Sequence, residues 1–256
     1  MRLLSAAGRA PRLPFFISFF LMPELPEVET IARALRQGER GGQPILNRAI
    51  LSAEVKWARS IAEPSAEEFC IRIAGQTIAD VNRRGKFVVM PLSRDTLLVH
   101  LRMSGDLTTV SELESDNLHD RVLLHLEGGL RLAFTDARKF GRMWLTAQPQ
   151  SVTGGLGPEP LDSGLTSSEF YQRLHSMHRQ LKPLLLDQKF LSGLGNIYAD
   201  EALNLAKLSP LLSASQVTEP QASDLLEAVR GVLQEGIRRN GASIDWAYRG
   251  GDFQNH

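Results

Sequence analysis

A segment rich in glycine, proline and serine, QPQSVTGGLGPEPLDSG (residues 148–164), divides the chain into two stretches with different hydrophobic periods. Residues 43–147 read mostly as short strands. The runs 76–82 and 86–92 flank the turn Arg83-Arg84-Gly85, and 121–127 and 130–135 flank Gly128-Gly129, a hairpin signal. Further strand candidates are 96–102, 105–110 and 141–147. Beyond the divide the spacing turns helical, with helices expected near 167–177, 181–188, 196–207 and 220–239 and a stop at Gly241. Ahead of the strands, Val28, Ile31, Ala32 and Leu35 fall at i, i+3, i+4 and i+7, which predicts an amphipathic helix over 26–37. Pro26 suits its first position, and Glu27 and Glu29 suit its positive end. The pattern predicts an α+β chain: a β-sandwich or barrel domain over 22–148 with a leading helix, a linker over 149–164, and an all-helical domain over 165–256. The tail SIDWAYRGGDFQNH has no clear period.

Residues 1–21 differ from everything after them. They hold Arg2, Arg9 and Arg12, no acid, and an apolar run too short to cross a membrane. They are expected to be a leader produced by a mis-assigned start, with Met22 the true initiator and Pro23 the mature N-terminus. The formal net charge is zero, and without the leader it is slightly negative, so a nucleic-acid-binding face would have to come from local clustering. The one cysteine, Cys70, allows neither an internal disulfide nor a multi-cysteine zinc site, and its simple reading is a small core residue. This composition suits a reducing cytoplasm.

Residues 22–27, Met-Pro-Glu-Leu-Pro-Glu, carry the first chemical signal. Helix capping alone accounts for prolines and glutamates there. A terminal Pro23 adds a secondary amine whose pKa, near 8 for an α-amino group, leaves part of it neutral at pH 7. Such an amine can attack a sugar's anomeric carbon and give an iminium, while Glu24 beside it moves the proton.

The motifs MPELPEVET (22–30), RRGKF (83–87), HLRMSG (100–105), TDARKFGR (135–142), LGPEPL (156–161) and LDQKFLSGLGNIYADEAL (186–203) occur in this order. Together they resemble the formamidopyrimidine-DNA glycosylase family over residues 22–256. The resemblance implies a leading catalytic helix on a β-sandwich, followed by a helix-two-turns-helix domain. It implies that Pro23 is the nucleophile, that Glu24 protonates the deoxyribose ring oxygen, and that Glu27 supports the site from the first helix. Lys86 resembles a lysine that contacts DNA beside the lesion; its simple reading is a solvated hairpin cation. Met103, Arg138 and Phe140 resemble the side chains that enter the duplex when the damaged nucleotide is extruded, with Lys139 a DNA contact beside them. Filling the vacated stack with an apolar wedge and a ring fits that physics, although Met103 and Phe140 are also residue types of ordinary cores. Asn196, at the start of the helix after Gly193-Leu194-Gly195, resembles a phosphate-binding asparagine on a helix N-terminus. Lys182 resembles another DNA contact, and Asp200 and Glu201 read as structural or helix-end charges.

The resemblance implies base-excision repair: removal of oxidised purines such as 8-oxoguanine and formamidopyrimidines, then β,δ-elimination at the abasic site. The expected partner is duplex DNA carrying oxidised purines or abasic sites, with no membrane; a cytoplasmic monomer is implied. Members of the family normally add a zinc finger with two Cys-x-x-Cys pairs after a segment like FQNH. This chain has no such ligand set, so no metal or cofactor is expected in it. The sequence therefore also admits a fragment that recognises damaged DNA without chemistry.

Overall fold

The computed structural model describes residues 22–241. The leader and the tail beyond Gly241, with its FQNH segment, lie outside the described residues. The first helix, α1 (Leu25–Gln37), starts where Pro26 has no N–H to leave unpaired and where the Glu27 carboxylate accepts the Glu24 N–H at 2.9 Å.

Two sheets then pack face to face. One has the order β1 (Ile50–Val55), β7 (Asp120–Leu126), β8 (Leu130–Asp136), β6 (Gly105–Ser111). The other has the order β2 (Ile61–Glu63), β9 (Arg142–Thr146), β5 (Thr96–His100), β4 (Phe87–Pro91), β3 (Asn82–Arg84). All pairs are antiparallel except β2 with β9. Ile50, Val88, Met90, Val99, Leu107, Val122 and Phe134 fill the space between, joined by Val28, Ile31 and Leu35 from α1. Each such burial contributes roughly 1.5–3 kcal/mol of transfer free energy.

The structure corrects the strand reading in three places. A helix, α2 (Ala66–Ile73), lies inside the stretch expected to be mostly strands; the Ser65 hydroxyl caps it, and it buries Phe69 and Ile73. Of 76–82 only Asn82 belongs to a strand, Thr77 and Ile78 making isolated bridges, because the next hairpin pairs Asn82–Arg84 with Phe87–Val89. The turn is therefore Gly85-Lys86, not Arg83-Arg84-Gly85.

The helical part comprises α4 (Ser167–His175), α5 (Leu181–Leu185), α6 (Asn196–Leu205) and α7 (Glu219–Arg238), around Phe170, Leu184, Leu194, Tyr198 and Leu226. Leu25 belongs to this core, although Val28 on the same helix belongs to the other. None of the helices is long and apolar enough to cross a membrane, among the described residues.

Between the parts, the Gly/Pro-rich segment forms a short helix, α3 (Gln150–Thr153), and a loop that is fastened on both sides. Arg83 pairs with Glu159 at 2.7 Å and with Glu29 of α1 at 3.1 Å. Glu159 also accepts the Gly85 N–H at 2.6 Å, and Arg84 donates to the Gly157 carbonyl and the Ser192 hydroxyl. Burial alone would raise the Glu159 carboxyl; the Arg83 guanidinium and the Gly85 N–H outweigh it and hold the carboxyl low. Replacing Glu159 with Ala strips a nearly buried guanidinium of its bidentate partner, and urea melts are expected to show a loss of roughly 3 kcal/mol. A loss below about 1 kcal/mol, the value of an exposed pair, would refute this.

Candidate active site and DNA interface

Pro23 is buried where α1 begins, and the Leu25 N–H donates to the Gly193 carbonyl at 2.9 Å. This bond seats the N-terminus of α1 on the glycine turn ahead of α6. The Glu24 carboxylate then reaches the N-terminus of α6 and accepts from Gly195 N at 2.7 Å and Ile197 N at 2.9 Å. The fit requires glycine at 195: a Cβ there would lie 2.3 Å from the Glu24 Cδ. The sequence reading left the N–H groups of this helix end to a phosphate. In the structure the Glu24 side chain holds two of them.

Glu24 is 2 % exposed, and burial raises its pKa to about 7 against the pull of Lys86 and the two backbone N–H groups. Desolvation thus wins over both the helix end and the nearby cation. Near neutrality a large share of Glu24 carries a proton. Glu27, also buried, takes the Tyr198 hydroxyl at 2.8 Å and the Glu24 N–H with its other oxygen. Burial beside Glu27 pushes the Tyr198 phenol well above its ordinary value, so it stays a neutral donor.

Lys86, on the β3–β4 turn, is 4 % exposed and so is not a solvated hairpin cation. Burial lowers its pKa, and the charges of Glu24 and Glu27 oppose that shift. His100 at the end of β5 packs edge-on against Phe87 and accepts the Arg102 N–H at 3.1 Å. Burial, with Arg102 and Lys86 nearby, lowers the imidazole to about 3, so it is neutral.

Met103, Arg138, Lys139 and Phe140 come together through the sheet. The register pairs Gly105 of β6 with Asp136 of β8, so the turn carrying Met103 and the loop carrying the other three leave the same end. Phe140 is 48 % exposed, which excludes the core reading, and Met103 is half-buried. The Arg138 guanidinium lies 5.0 Å from the centroid of the Phe140 ring, and the Lys139 ammonium 4.3 Å from that of Trp57.

Asn196 is exposed as the first residue of α6. Lys182 on α5 is not free; it pairs with Asp200 at 2.8 Å. Glu201 is buried on the inner face of α6. Among the described residues, no group of three or more His, Cys, Asp or Glu is placed to hold a metal ion.

The sequence reading missed Tyr198, His100, Ser104 and Asp136. Tyr198 sits in an apolar helical run where an aromatic signals core, and nothing local marks its hydroxyl as a partner of Glu27. Asp136 offered a signal: an acid between an apolar strand and a basic loop, where the loop's N–H groups need acceptors.

Comparison with known proteins agrees with this geometry. The formamidopyrimidine-DNA glycosylase N-terminal domain matches residues 22–143, and the H2TH domain of the same glycosylase matches residues 156–247. The chain belongs to the formamidopyrimidine-DNA glycosylase family. It is 41% identical over 224 residues to the formamidopyrimidine-DNA glycosylase of Protochlamydia amoebophila, covering 87% of this chain and 79% of that protein. With the enzyme of Herpetosiphon aurantiacus it shares 40% over 227 residues, covering 87% and 81%. Among solved structures, wild-type Lactococcus lactis Fpg (MutM) with DNA containing N7-benzyl-Fapy-dG superposes with a TM-score of 0.81 at 33% identity, covering 90% of this chain and 85% of that one. The same organism's enzyme, bound non-covalently to DNA with an AP site, superposes at 0.79 with 32% identity, covering 87% and 83%. The β domain and helical domain of this family are thus both present.

Proposed function

We propose that this chain excises oxidised purines from duplex DNA and then cuts the strand at the abasic site, with Pro23 as nucleophile. The carrying observation is the Glu24 carboxyl, buried beside Pro23 and raised to about 7. A protonated carboxyl next to an amine is the pair that ring opening of a deoxyribose requires.

The free Pro23 nitrogen, exposed when Pro23 begins the mature chain, attacks the anomeric carbon as the glycosidic bond breaks. The base leaves with that bond's electron pair and a proton. Glu24 gives its proton to the ring oxygen, the ring opens, and the nitrogen's lone pair completes an iminium. Loss of a proton from the adjacent sugar carbon expels the 3′ phosphate, a second elimination expels the 5′ phosphate, and water releases the sugar fragment from Pro23. Lys86, facing the carboxylates, contacts DNA beside the lesion. Met103 and Phe140 fill the vacated stack, Arg138 bonds the orphaned cytosine, and Lys139, Asn196 and Lys182 bind the DNA backbone, Lys182 exchanging Asp200 for a phosphate. With one cysteine in the chain, the proposal puts this work in a reducing cytoplasm. The groups at work all belong to the chain, so the reaction is assigned no cofactor.

Borohydride converts an iminium into a permanent bond. Residues 23–256, released behind a single initiator methionine, are expected to give a covalent protein–DNA product with a duplex carrying 8-oxoguanine opposite cytosine. Retained binding to that duplex with no trapped product would instead favour a recognition fragment without chemistry.

A further inference from the structure

The Asp136 side chain is completely buried at the end of β8, yet it belongs neither to the apolar core nor to the Pro23 site. One carboxylate oxygen, Oδ2, accepts the Gly141 N–H at 2.7 Å. The other, Oδ1, accepts the Arg138 N–H at 3.1 Å and the Ser104 hydroxyl. The Ser104 oxygen in turn accepts the Arg138 N–H at 3.1 Å. A single carboxylate therefore closes both ends of the Arg138–Phe140 loop and ties that loop to the turn carrying Met103. The approach is close: a Cβ on Gly141 would lie 2.3 Å from the Phe134 ring and 3.2 Å from Asp136 Oδ2. The loop is also touched by the Arg142 guanidinium, which donates to the Gly141 carbonyl at 2.9 Å, and by the Arg138–Phe140 and Lys139–Trp57 stacks at the surface, where solvent weakens them.

We infer that Asp136 and Ser104 form a clasp that holds Met103, Arg138 and Phe140 in one fixed constellation, and that this clasp sets how strictly the protein reads the base opposite the lesion. The inference rests on the function proposed above. Three side chains that enter a duplex together must keep their spacing, since displacement by an ångström lowers the rate of a step that depends on alignment. Asp136 and Ser104 do not touch DNA in this role. They act through the backbone N–H groups and through each other.

The clasp is needed only where a partner base and a stack exist. Single-stranded abasic DNA has neither, so its cleavage needs the Pro23 site and the backbone contacts but not a fixed spacing of Met103, Arg138 and Phe140. For the chain beginning at Pro23, Ser104→Ala is expected to slow excision of 8-oxoguanine from a duplex about tenfold, and to shrink the preference for cytosine over adenine opposite the lesion by a similar factor. Cleavage of single-stranded abasic DNA is expected to stay at the parent rate. Ser104→Thr, which keeps the hydroxyl, is expected to restore both duplex readouts. Asp136→Asn turns an amide donor toward one of the N–H groups and is expected to shift the same two readouts in the same direction. An unchanged cytosine-to-adenine ratio in Ser104→Ala would overturn the inference. So would a parallel loss on single-stranded abasic DNA, which would place Ser104 in the fold or the catalytic centre. A parent chain that cleaves neither substrate would overturn the proposed function itself, and the clasp with it.

Discussion

A chain that keeps even one residue ahead of Pro23 is expected to lose borohydride trapping and to incise 8-oxoguanine duplexes about 10³-fold more slowly, or worse. An acylated proline nitrogen is an amide: its lone pair is delocalised into the carbonyl, and it has no nucleophilicity to offer. A free terminal amine near pKa 8 keeps a useful neutral fraction at pH 7. The cleanest comparison sets the chain beginning at Pro23 against the same chain beginning with Gly-Pro23. Nothing else in the fold need change, because the Glu24 N–H still meets Glu27 and the Glu24 carboxylate still meets α6. Equal trapping by the two proteins would remove Pro23 from the mechanism, and a lysine would have to be sought instead.

The second large effect concerns Glu24. Glu24→Gln is expected to lower excision by about 10²–10⁴-fold, the range for loss of a positioned proton donor. The pH dependence follows from the direction of its shift. A folded-state value of about 7 lies above the ordinary 4.5, so folding favours the protonated form. Its stabilisation is complete below pH 4.5 and is lost as pH rises through 7, as Glu24 ionises in its buried site. The parent is therefore expected to unfold more easily at pH 8 than at pH 5, and Glu24→Gln to show that difference much reduced. The rate should follow a bell: it rises as Pro23 loses its proton and falls as Glu24 loses its own, and with Pro23 near 8 and Glu24 near 7 the top lies between about 7 and 8, the two apparent values belonging to the pair. An alkaline limb that persists in Glu24→Gln would assign it to another group.

The legible parts of the molecule were those in which neighbours in sequence are neighbours in space. The hairpin at Gly128-Gly129, the long α7 and the amphipathic α1 all declare themselves within a dozen residues. Helix α2 was hidden because its eight residues are too few for the period to stand out, although Ser65 followed by Glu68 is a start signal. Strand β1 was hidden because it lies at a sheet edge and buries only Ile50, which leaves no alternation to read. The Gly/Pro-rich segment looked like a linker because composition reports backbone freedom and not the acceptors that Arg83 and Arg84 find there. In the site, Pro23, Glu24 and Glu27 stand together in one motif and could be picked out. Their partners Gly195, Ile197 and Tyr198 come from the other end of the chain, and only the fold brings them in. A formal charge of zero gave no hint of a DNA-binding face, since such a face depends on where cations sit and not on how many there are.

The contact between Glu24 and α6 also has a meaning in time. The carboxylate and the N–H groups that hold it are separated by 171 and 173 positions along the chain. On the ribosome, the residues around Pro23 emerge well over a hundred residues ahead of the partners that hold Glu24. The reactive end of the protein is thus made early and completed late. A half-made polypeptide carries the amine without the pocket, so it cannot begin cutting DNA while it is still being translated.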